Sequence, residues 1–417
     1  MDSEYYRNLM NECLNCKNPT CINGCPVHND IPTFIKLAKD NKYQEALEVI
    51  NLTSTLPSIC SLVCPSENQC MGHCIKNKIN KPVKINEIEQ YITLKSYEKS
   101  CLIQKNGYKV AIIGSGPAGL ACAEKLAIKG YKVDIYDKYD IAGGILTYGI
   151  PDFVLDKKIV NKKIEFLKSL GINFFMNKEL NKDIYLSNLK NEYDAIFLAF
   201  GAGVDKKMNI ENESLKGVLG ANIFLNKTFK NEDLNVKIDN NSHIIVVGGG
   251  NTAIDAARVA KRKFNCNVTI VYRRSQNEMP CRNIEYKKAV EDGITFNFLT
   301  NPVKFIGDEY LSKIEVVKMQ LISVENDRPR PIVIENSNYL IDCNLVVLAL
   351  SSDVDKTLTN ELAIDKWNTI IVNEKMQTSI ENVFAGGDCV SGPSLVVNAM
   401  KDGIKAAHSI DCYIKKR

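Results

Sequence analysis

The sequence lacks an apolar run that approaches the roughly 20 residues of a membrane-spanning helix. Its first residues, MDSEYYRNLMNEC, do not have the pattern of a signal peptide. The sequence also lacks a large excess of one sign of charge, because 53 Lys and Arg residues and 49 Asp and Glu residues leave a net charge of only +4. This balance predicts neither nucleic acid nor a membrane surface as a partner. We therefore expect a cytoplasmic protein, in which structural disulfides are rare.

Cysteine, by contrast, is abundant. The 417 residues are 45% hydrophobic and 24% charged, as in a globular protein of roughly two to three domains, and they include 15 cysteines. Nine of the cysteines lie at or before Cys101, which indicates metal or redox chemistry in a reducing compartment. The other six are scattered, and we expect them to be inert thiols: Cys122, Cys266, Cys281, Cys343, Cys389 and Cys412.

Two runs contain eight of the early cysteines. The first has the pattern C-x2-C-x4-C-x3-C-P and the second has the pattern C-x3-C-P-x4-C-x3-C. Bacterial ferredoxins hold iron–sulfur clusters with similar close spacings, and the fourth cysteine of one run ligates the other cluster. The runs therefore predict two clusters, with two four-thiolate zinc sites as an alternative and disulfides as a more remote one. The cysteines of the runs are Cys13, Cys16, Cys21 and Cys25, then Cys60, Cys64, Cys70 and Cys74.

The segments IPTFIKLAKDNKYQEALEVI and KINEIEQYITLKSYE have apolar residues at helical spacing. The first hundred residues thus predict a small helical domain that depends on its metal for stability. His28 and His73 lie near the cysteines, but lone histidines beside a full complement of thiols are more often bystanders than ligands.

A nucleotide-binding pattern begins at Lys109. The segment KVAIIGSGPAGLACAEKLAIKGYKVDIYDK predicts a strand, a turn with Gly114, Gly116 and Gly119, a helix, and a second strand that ends at Asp137. The glycines permit a tight turn and a close approach to a pyrophosphate at the helix N-terminus. An acidic residue about 20 positions later binds a ribose, so the segment predicts a dinucleotide site.

A second fingerprint follows in HIIVVGGGNTAIDAARVAKRKFNCNVTIVYRRSQNEMP, where Gly248, Gly250 and Ala253 occupy the three positions. Its second strand ends in Arg273 and Arg274 instead of an acid. Arginine at this place accommodates a 2′-phosphate, which favours NADP(H) over NAD(H), although a solvated charge pair would have the same sequence.

Near the end of the chain, TSIENVFAGGDCVSGPSLVVNAMKDGIKAAHSI predicts a short strand, the turn Gly386-Gly387-Asp388 and a helix with small residues on one face. With a dinucleotide site far upstream, this segment is typical of the returning half of an FAD domain. The second fingerprint would then lie in an insertion within that domain.

Together these motifs resemble the small subunit of bacterial glutamate synthase and its relatives, which include the N-terminal half of dihydropyrimidine dehydrogenase and the large subunit of NADH-dependent ferredoxin:NADP oxidoreductase. The segments that carry the resemblance are ICSLVCPSENQCMGHC, GGILTYGIPDF, GGGNTAIDAA, VYRRS and VFAGGD. The resemblance implies an α/β fold with a helical bis-iron–sulfur domain and two Rossmann-like domains, the NAD(P)H domain inserted in the FAD domain. We expect the iron–sulfur domain at residues 1–105 and the first part of the FAD domain at 106–225. The NAD(P)H domain is expected at 226–372, and the second part of the FAD domain at 373–417.

The resemblance also implies the function: an NAD(P)H-dependent oxidoreductase whose electrons pass through FAD and two [4Fe-4S] clusters to a catalytic partner subunit or a ferredoxin-type carrier. The implied ligands of one cluster are Cys13, Cys16, Cys21 and Cys74, and those of the other are Cys25, Cys64, Cys70 and Gln90. Spacing alone instead suggests Cys60 as the eighth ligand. Both readings stay open at this point.

Residue roles follow from the fingerprints and the resemblance, without an acid–base pair. The expected FAD residues are Gly114, Gly116, Pro117, Ala118, Gly119, Asp137, Gly144, Gly387 and Asp388. The expected NAD(P)H residues are Gly249, Gly250, Asn251, Thr252, Arg273 and Arg274.

The sequence also departs from the family pattern at several places. Val154 and Asp156 stand where Arg and Pro are usual, whereas Lys157 is kept, and Phe200 and Ser351 replace Thr and Gly. A competing class, a flavin-dependent disulfide reductase of the thioredoxin reductase type, would need a C-x2-C beside the flavin. Cys266 and Cys281 are far from that spacing. A cluster-bearing scaffold with vestigial nucleotide sites is the non-enzymatic alternative.

Overall fold

The computed structural model describes residues 3–98, 103–325 and 327–416, so Cys101 lies outside the described residues. The chain forms two compact units. The first comprises Met1–Thr147, Asp152–Ala202 and Val354–Arg417, and the second comprises Tyr148–Pro151 and Gly203–Asp353. The four domain ranges expected from the sequence concern where each cofactor's domain begins and ends, and they stay a prediction.

Six helices, numbered like all elements in chain order, form the N-terminal region of the first unit. Their apolar faces pack around buried Phe34, Ile35, Ile50 and Ile88, which are residues of the two segments with helical spacing. Several cysteines of the two runs pack against the edge of this core. The helices are α1 (Ser3–Asn11), α2 (Thr20–Gly24), α3 (Ile31–Lys39), α4 (Tyr43–Asn51), α5 (Pro57–Val63) and α6 (Ile85–Lys95), with 3-10 turns at Ser66–Asn68 and Ile75–Ile79.

A five-stranded parallel sheet forms the rest of the first unit, in the order β16-β4-β1-β2-β3. Its strands are β1 (Lys109–Ile113), β2 (Lys132–Tyr136), β3 (Asn173–Phe175), β4 (Ala195–Leu198) and β16 (Val383–Ala385). Its helices are α7 (Pro117–Ile128), α8 (Ile145–Tyr148), α9 (Lys157–Ser169), α10 (Leu186–Glu192), α14 (Asp388–Ser391) and α15 (Val396–Ile414).

The second unit contains its own five-stranded parallel sheet, in the order β6-β14-β7-β8-β9, and an antiparallel sheet in which β11 pairs with β10, β12 and β13. A short antiparallel pair joins β5 and β15. The elements are β5 (Val204–Asp205), β6 (Val218–Gly220), α11 (Ala221–Lys230), β7 (His243–Val247), α12 (Asn251–Phe264), β8 (Asn267–Tyr272), α13 (Asn283–Glu291), β9 (Thr295–Phe298), β10 (Thr300–Gly307), β11 (Leu311–Val324), β12 (Asp327–Val333), β13 (Tyr339–Asp342), β14 (Leu345–Leu348) and β15 (Ser352–Asp353).

The pairing of β16 with β4 confirms the predicted insertion. Val383 lies in register with Ile196, although most of the second unit separates them in the sequence. The short strand before Gly386 therefore completes the sheet that the first fingerprint begins. The expected fold class, a helical N-terminal region followed by two interleaved Rossmann-like domains, is confirmed.

Candidate functional site

The glycines of the first fingerprint shape the turn between β1 and α7. Gly114 has a φ of +109°, and a Cβ there would lie 2.3 Å from the carbonyl oxygen of Ala199. A Cβ on Gly119 would lie 2.0 Å from the carbonyl oxygen of Gly114, so only glycine lets the helix approach the strand. At Gly116, no atom lies within 4 Å of the Cβ position. This opening directly precedes Pro117, the first residue of α7, and suits a pyrophosphate.

The carboxylate of Asp137, after the end of β2, binds this same turn. Its Oδ2 accepts hydrogen bonds from the N–H of Ser115 at 2.7 Å and from the Ser115 hydroxyl at 2.6 Å. Its Oδ1 accepts a third from the N–H of Tyr139 at 2.9 Å. Because an ionised carboxylate has about four lone-pair positions, one position is left for a ribose hydroxyl.

Two further segments approach the first fingerprint. A Cβ on Gly144 would lie 3.0 Å from the Cα of Gly116, and a Cβ on Gly387 would lie 2.9 Å from the Cβ of Ala118. The N–H of Gly387 donates to the carboxylate of Asp402 at 3.0 Å, which holds the turn after β16. The structure therefore brings the loop after β2 and the turn after β16 to the start of α7.

Asp388 directly follows this turn and is half-buried. Burial raises the pKa of its carboxyl to about 6. A hydrogen bond from the N–H of Ser394 lowers this pKa, whereas the nearby charge of Asp402 raises it further. The expected FAD residues thus lie in one place, around the opening at Gly116.

The second fingerprint has the same geometry within the second unit. Gly248 has a φ of +145°, and a Cβ there would lie 2.4 Å from the carbonyl oxygen of Ala349. Around Gly250 there is open space, because the atom nearest to its Cβ position is the Cγ of Pro280 at 4.0 Å. The helix α12 begins at the next residue, Asn251, so this opening too lies at a helix N-terminus.

Asn251 and Thr252 border this opening in different ways. The Oδ1 of Asn251 accepts a hydrogen bond from the N–H of Arg282 at 2.9 Å, which ties the loop before α13 to the start of α12. Thr252 is exposed. A Cβ on Gly249 would lie 2.6 Å from the ring of Tyr272, so the end of β8 packs directly on the glycine turn.

The two arginines after β8 differ in their surroundings. Arg273 is exposed, whereas the Nε of Arg274 donates to the carbonyl oxygen of Pro329 at 2.9 Å. A third guanidinium, that of Arg328 on β12, donates to the hydroxyl of Tyr272 at 3.1 Å. No local pattern in the sequence points to Arg328, because nothing in the segment itself shows that β12 lies beside the end of β8.

The expected ligands of the first cluster surround one cavity. Cys13, Cys16, Cys21 and Cys74 all line it, together with Ile35 and other apolar residues. Burial raises the pKa of the Cys21 thiol to about 11, and the nearby charges of Cys13 and Cys74 add to the rise. The loop after α1 and the segment before Ile75 therefore converge.

The carboxylate of Glu89 lies beside a second group of cysteines. Burial raises the pKa of the Cys70 thiol well above its ordinary value, and the nearby charge of Glu89 raises it further. Burial likewise raises the pKa of the Cys25 thiol, with added effects from the charges of Glu89 and Cys64. Three expected ligands of the second cluster thus lie together with Glu89.

Glu89 is 9% exposed and lies on the buried face of α6. No described residue donates a hydrogen bond to its carboxylate or forms an ion pair with it, and burial raises its pKa to about 8. The sequence contained the signal, because Ile85, Ile88, Glu89 and Ile92 follow the i, i+3, i+4, i+7 spacing of one helix face. The neighbouring Gln90, the ligand that the family resemblance implies, is half-buried.

The arrangement of the cysteines can be compared with the zinc alternative. Four thiolates on one zinc ion lie ~3.8 Å apart, since each Zn–S bond is about 2.3 Å long. Within residues 3–98, 103–325 and 327–416, no three Cys, His, Asp or Glu side chains lie close enough to share one metal ion. None of the eight cysteines of the two runs is in a disulfide.

Comparisons with known proteins agree with this site. Residues 108–403 match the family model of pyridine nucleotide-disulphide oxidoreductases, and residues 3–112 match that of dihydropyrimidine dehydrogenase domain II, 4Fe-4S cluster. The chain is 35% identical to the Escherichia coli protein named glutamate synthase [NADPH] small chain, over 95% of this chain and 89% of that protein. The chain belongs to this family.

The Azospirillum brasilense glutamate synthase [NADPH] small chain is 34% identical, over 98% of this chain and 89% of that protein. Among solved structures, Mycobacterium tuberculosis FprA in complex with NADPH superimposes with a TM-score of 0.63 at 20% identity. The superposition covers 74% of this chain and 85% of the FprA chain, so the two proteins are similar in fold. The family resemblance and the prediction of an oxidoreductase enzyme are confirmed.

The described cysteines give no support to the competing disulfide reductase. Cys266 and Cys281 are 1% and 8% exposed in the core of the second unit, and neither is in a disulfide. Burial also raises the pKa of the Cys266 thiol, which makes it less reactive. In the described part of the chain, no helix is both long and apolar enough to cross a membrane.

Proposed function

We propose that this chain takes electrons from NADPH and passes them through FAD and two [4Fe-4S] clusters to a partner subunit or a ferredoxin-type carrier. When bound, the flavin supplies the conversion of a two-electron hydride into single electrons, and the clusters supply one-electron transfer. The observation that carries the proposal is that one chain combines two open glycine turns at helix N-termini with two converging groups of thiols.

The chain's own residues would bind and orient the cofactors. The opening at Gly116 and the remaining acceptor position of Asp137 suit the pyrophosphate and ribose of FAD, with Gly144, Gly387 and Asp388 at its other side. The opening at Gly250 suits the NADPH pyrophosphate, beside Gly249, Asn251 and Thr252. Arg273 is exposed where a 2′-phosphate would be recognised, with Arg274 next to it.

For the clusters, we assign Cys13, Cys16, Cys21 and Cys74 to the first site and Cys25, Cys64 and Cys70 to the second. The eighth ligand is proposed to be Glu89 rather than Gln90 or Cys60. The surroundings of Glu89 support this choice, because its carboxylate is buried beside Cys25 and Cys70 and has no other described partner. Carboxylate oxygen is a harder ligand than thiolate and would tune the second cluster separately from the first.

Contacts within the first unit support an order for the two sites. Thr55, which lies just before α5 and nine residues before Cys64, has its N–H 3.4 Å from the Sδ of Met400 on α15. This contact supports placing the second site nearer to the FAD residues. The first site has Leu14 at its border, which is 64% exposed, and this supports placing it nearer to a partner.

A partner is expected, because the relatives are named as small chains of a larger enzyme. Glutamate synthesis with a large subunit is the acceptor reaction that these names favour. The alternatives within the same electron path are pyrimidine reduction with a dihydropyrimidine dehydrogenase chain and exchange with ferredoxin.

The test compares the wild type with two variants that fill the two openings, Gly116→Val and Gly250→Val. Under anaerobic conditions, NADPH should bleach the flavin absorbance of the wild type and then produce the electron paramagnetic resonance signal of reduced clusters. Gly250→Val should keep flavin and iron but lose reduction by NADPH, whereas dithionite still reduces it. Gly116→Val should lose flavin and keep iron. A wild-type protein without flavin, or with flavin that NADPH does not reduce, would refute the proposal.

A further inference from the structure

The surface around the first cluster site contains several lysines. Residues 13–29 and 68–86, which contain that site's cysteines, include five lysines, and four acidic residues directly flank these segments: Glu12, Asp30, Glu67 and Glu87. Any excess of positive charge at this site therefore depends on the lysines that no carboxylate pairs.

These two segments form one continuous surface. The hydroxyl of Thr20 donates to the carbonyl oxygen of His73 at 2.5 Å, and Lys76 forms an ion pair with Glu12 at 3.2 Å. Lys84 is likewise paired, with Glu87 at 3.2 Å. Three of the five lysines are left exposed and form no ion pair with a described residue: Lys17, Lys78 and Lys81.

Apolar side chains lie within this basic surface. Leu14 and Ile79 are each 64% exposed, and Ile75 is 48% exposed. Leu14 and Ile75 also line the cavity of the first site, so the apolar residues border its opening. Exposed apolar residues surrounded by charge are typical of protein–protein contact surfaces.

We propose that this surface, which we call the basic rim, docks an acidic electron-carrier protein directly over the first cluster site. The basic rim comprises Leu14, Lys17, Ile75, Lys78, Ile79 and Lys81. The inference rests on the proposed function and names the kind of partner that it requires. Complementary charge would guide the carrier and the apolar centre would hold it, with the redox centre of the carrier facing Cys13, Cys16 and Cys74.

The redox balance of the step is simple. Oxidation of one NADPH to NADP⁺ releases one proton and two electrons. Each docked carrier accepts one electron at its own oxidised centre, so two carriers are reduced for each NADPH. No bond forms between the two proteins, and the carrier must leave before the next one binds.

The test measures binding as well as turnover. The probe is an acidic [4Fe-4S] ferredoxin, and its Kd for the oxidised holoprotein is measured by isothermal titration calorimetry at low and at high salt. We expect the Kd to rise about tenfold or more between about 20 and about 200 mM NaCl, because surface charge attraction is screened.

The charge-removal variant is Lys17→Gln/Lys78→Gln/Lys81→Gln, and its matched control is Lys162→Gln/Lys237→Gln/Lys375→Gln, which removes three exposed charges elsewhere. The first should raise the Kd at low salt about tenfold, and the control should change it less than about twofold. Leu14→Ser and Ile79→Ser should each raise the Kd at both salt concentrations. Iron and flavin contents of all variants are measured to exclude misfolding.

Absence of ferredoxin binding to the wild type would overturn the inference, and so would an equal effect of the two triple variants. Tighter binding of a basic carrier, cytochrome c, would also overturn it. A separate assay tests the proposed function itself. Reduction of ferricyanide by NADPH reports on the nucleotide and flavin sites and needs no docked protein. Normal ferricyanide reduction with no carrier binding refutes the docking surface alone.

Discussion

The Nζ of Lys129 lies 2.7 Å from the Oδ2 of Asp411, which joins the end of α7 to α15 near the end of the chain. The hydroxyl of Tyr131 donates to the same carboxylate at 2.9 Å. Burial alone would raise the pKa of Asp411, but the hydrogen bonds from Lys129, Lys415 and Tyr131 lower it. This carboxylate fastens the returning helix to the helix of the first fingerprint.

Asp411→Asn should therefore lower the free energy of unfolding by about 1.5–3 kcal/mol at pH 7, the range for hydrogen bonds to a charged group. Because the folded pKa lies below the unfolded value of about 3.9, the stabilisation is present above that pH and is lost as the pH falls. Urea unfolding, followed by flavin fluorescence at pH 7 and at about pH 3.5, measures the effect. An equal difference between wild type and variant at both pH values would contradict the prediction.

The buried lysine of α9 provides a second prediction. Lys163 is paired with Glu124 at 2.7 Å and with Glu98 at 2.6 Å, and its side chain is 3% exposed. Lys163→Met leaves the buried carboxylate of Glu124 without its partner, so the free energy of unfolding should fall by about 3–5 kcal/mol. The control Lys168→Met removes an exposed pair with Glu165 on the same helix and should cost less than about 1 kcal/mol.

Ser351 has a φ of +99°, in the left-handed region that favours glycine. A residue with a Cβ is strained in this conformation by about 1–3 kcal/mol. Ser351→Gly should therefore raise the free energy of unfolding by about 1 kcal/mol, after the greater chain entropy of glycine is included. Urea unfolding measures this change, and Ser312→Gly on strand β11 should destabilise instead. A destabilised Ser351→Gly protein would show that the backbone there is not strained.

Coenzyme choice should depend mainly on Arg273, which is exposed after the end of β8. Arg273→Ala should raise the KM for NADPH about tenfold, the loss of one charged hydrogen bond, and leave the KM for NADH unchanged. Arg274→Ala and Arg328→Ala should have smaller effects, because Arg274 already donates to Pro329 and Arg328 to Tyr272 and Glu278. Steady-state reduction of ferricyanide with each coenzyme measures KM. Equal losses for both coenzymes would exclude contact with the 2′-phosphate.

The eighth cluster ligand can be identified by iron and sulfide content. Glu89→Ala should lose about half of the iron, whereas Gln90→Ala and Cys60→Ala should keep it. The conservative variant Glu89→Asp, which keeps a carboxylate, should retain more of the second cluster's paramagnetic signal than Glu89→Ala. Loss of half the iron in Gln90→Ala or Cys60→Ala, with Glu89→Ala intact, would reverse the assignment.

The sequence by itself determined the local parts of this protein. The two glycine turns, the helices of the cysteine region and the strand before Gly386 each follow from residues that are close together in the chain, because conformational freedom and side-chain periodicity are local properties. The same information indicated iron–sulfur ligands, since the spacing within each cysteine run is also local.

The tertiary structure alone decided which distant residues meet. It brought Glu89 beside Cys25 and Cys70, and it placed Arg328 at the end of β8. Each of these contacts depends on how helices and strands pack after they form, and such packing is not encoded in any one segment. The physical reason is that burial and strand pairing select partners by shape and by exclusion of water, over any separation in sequence.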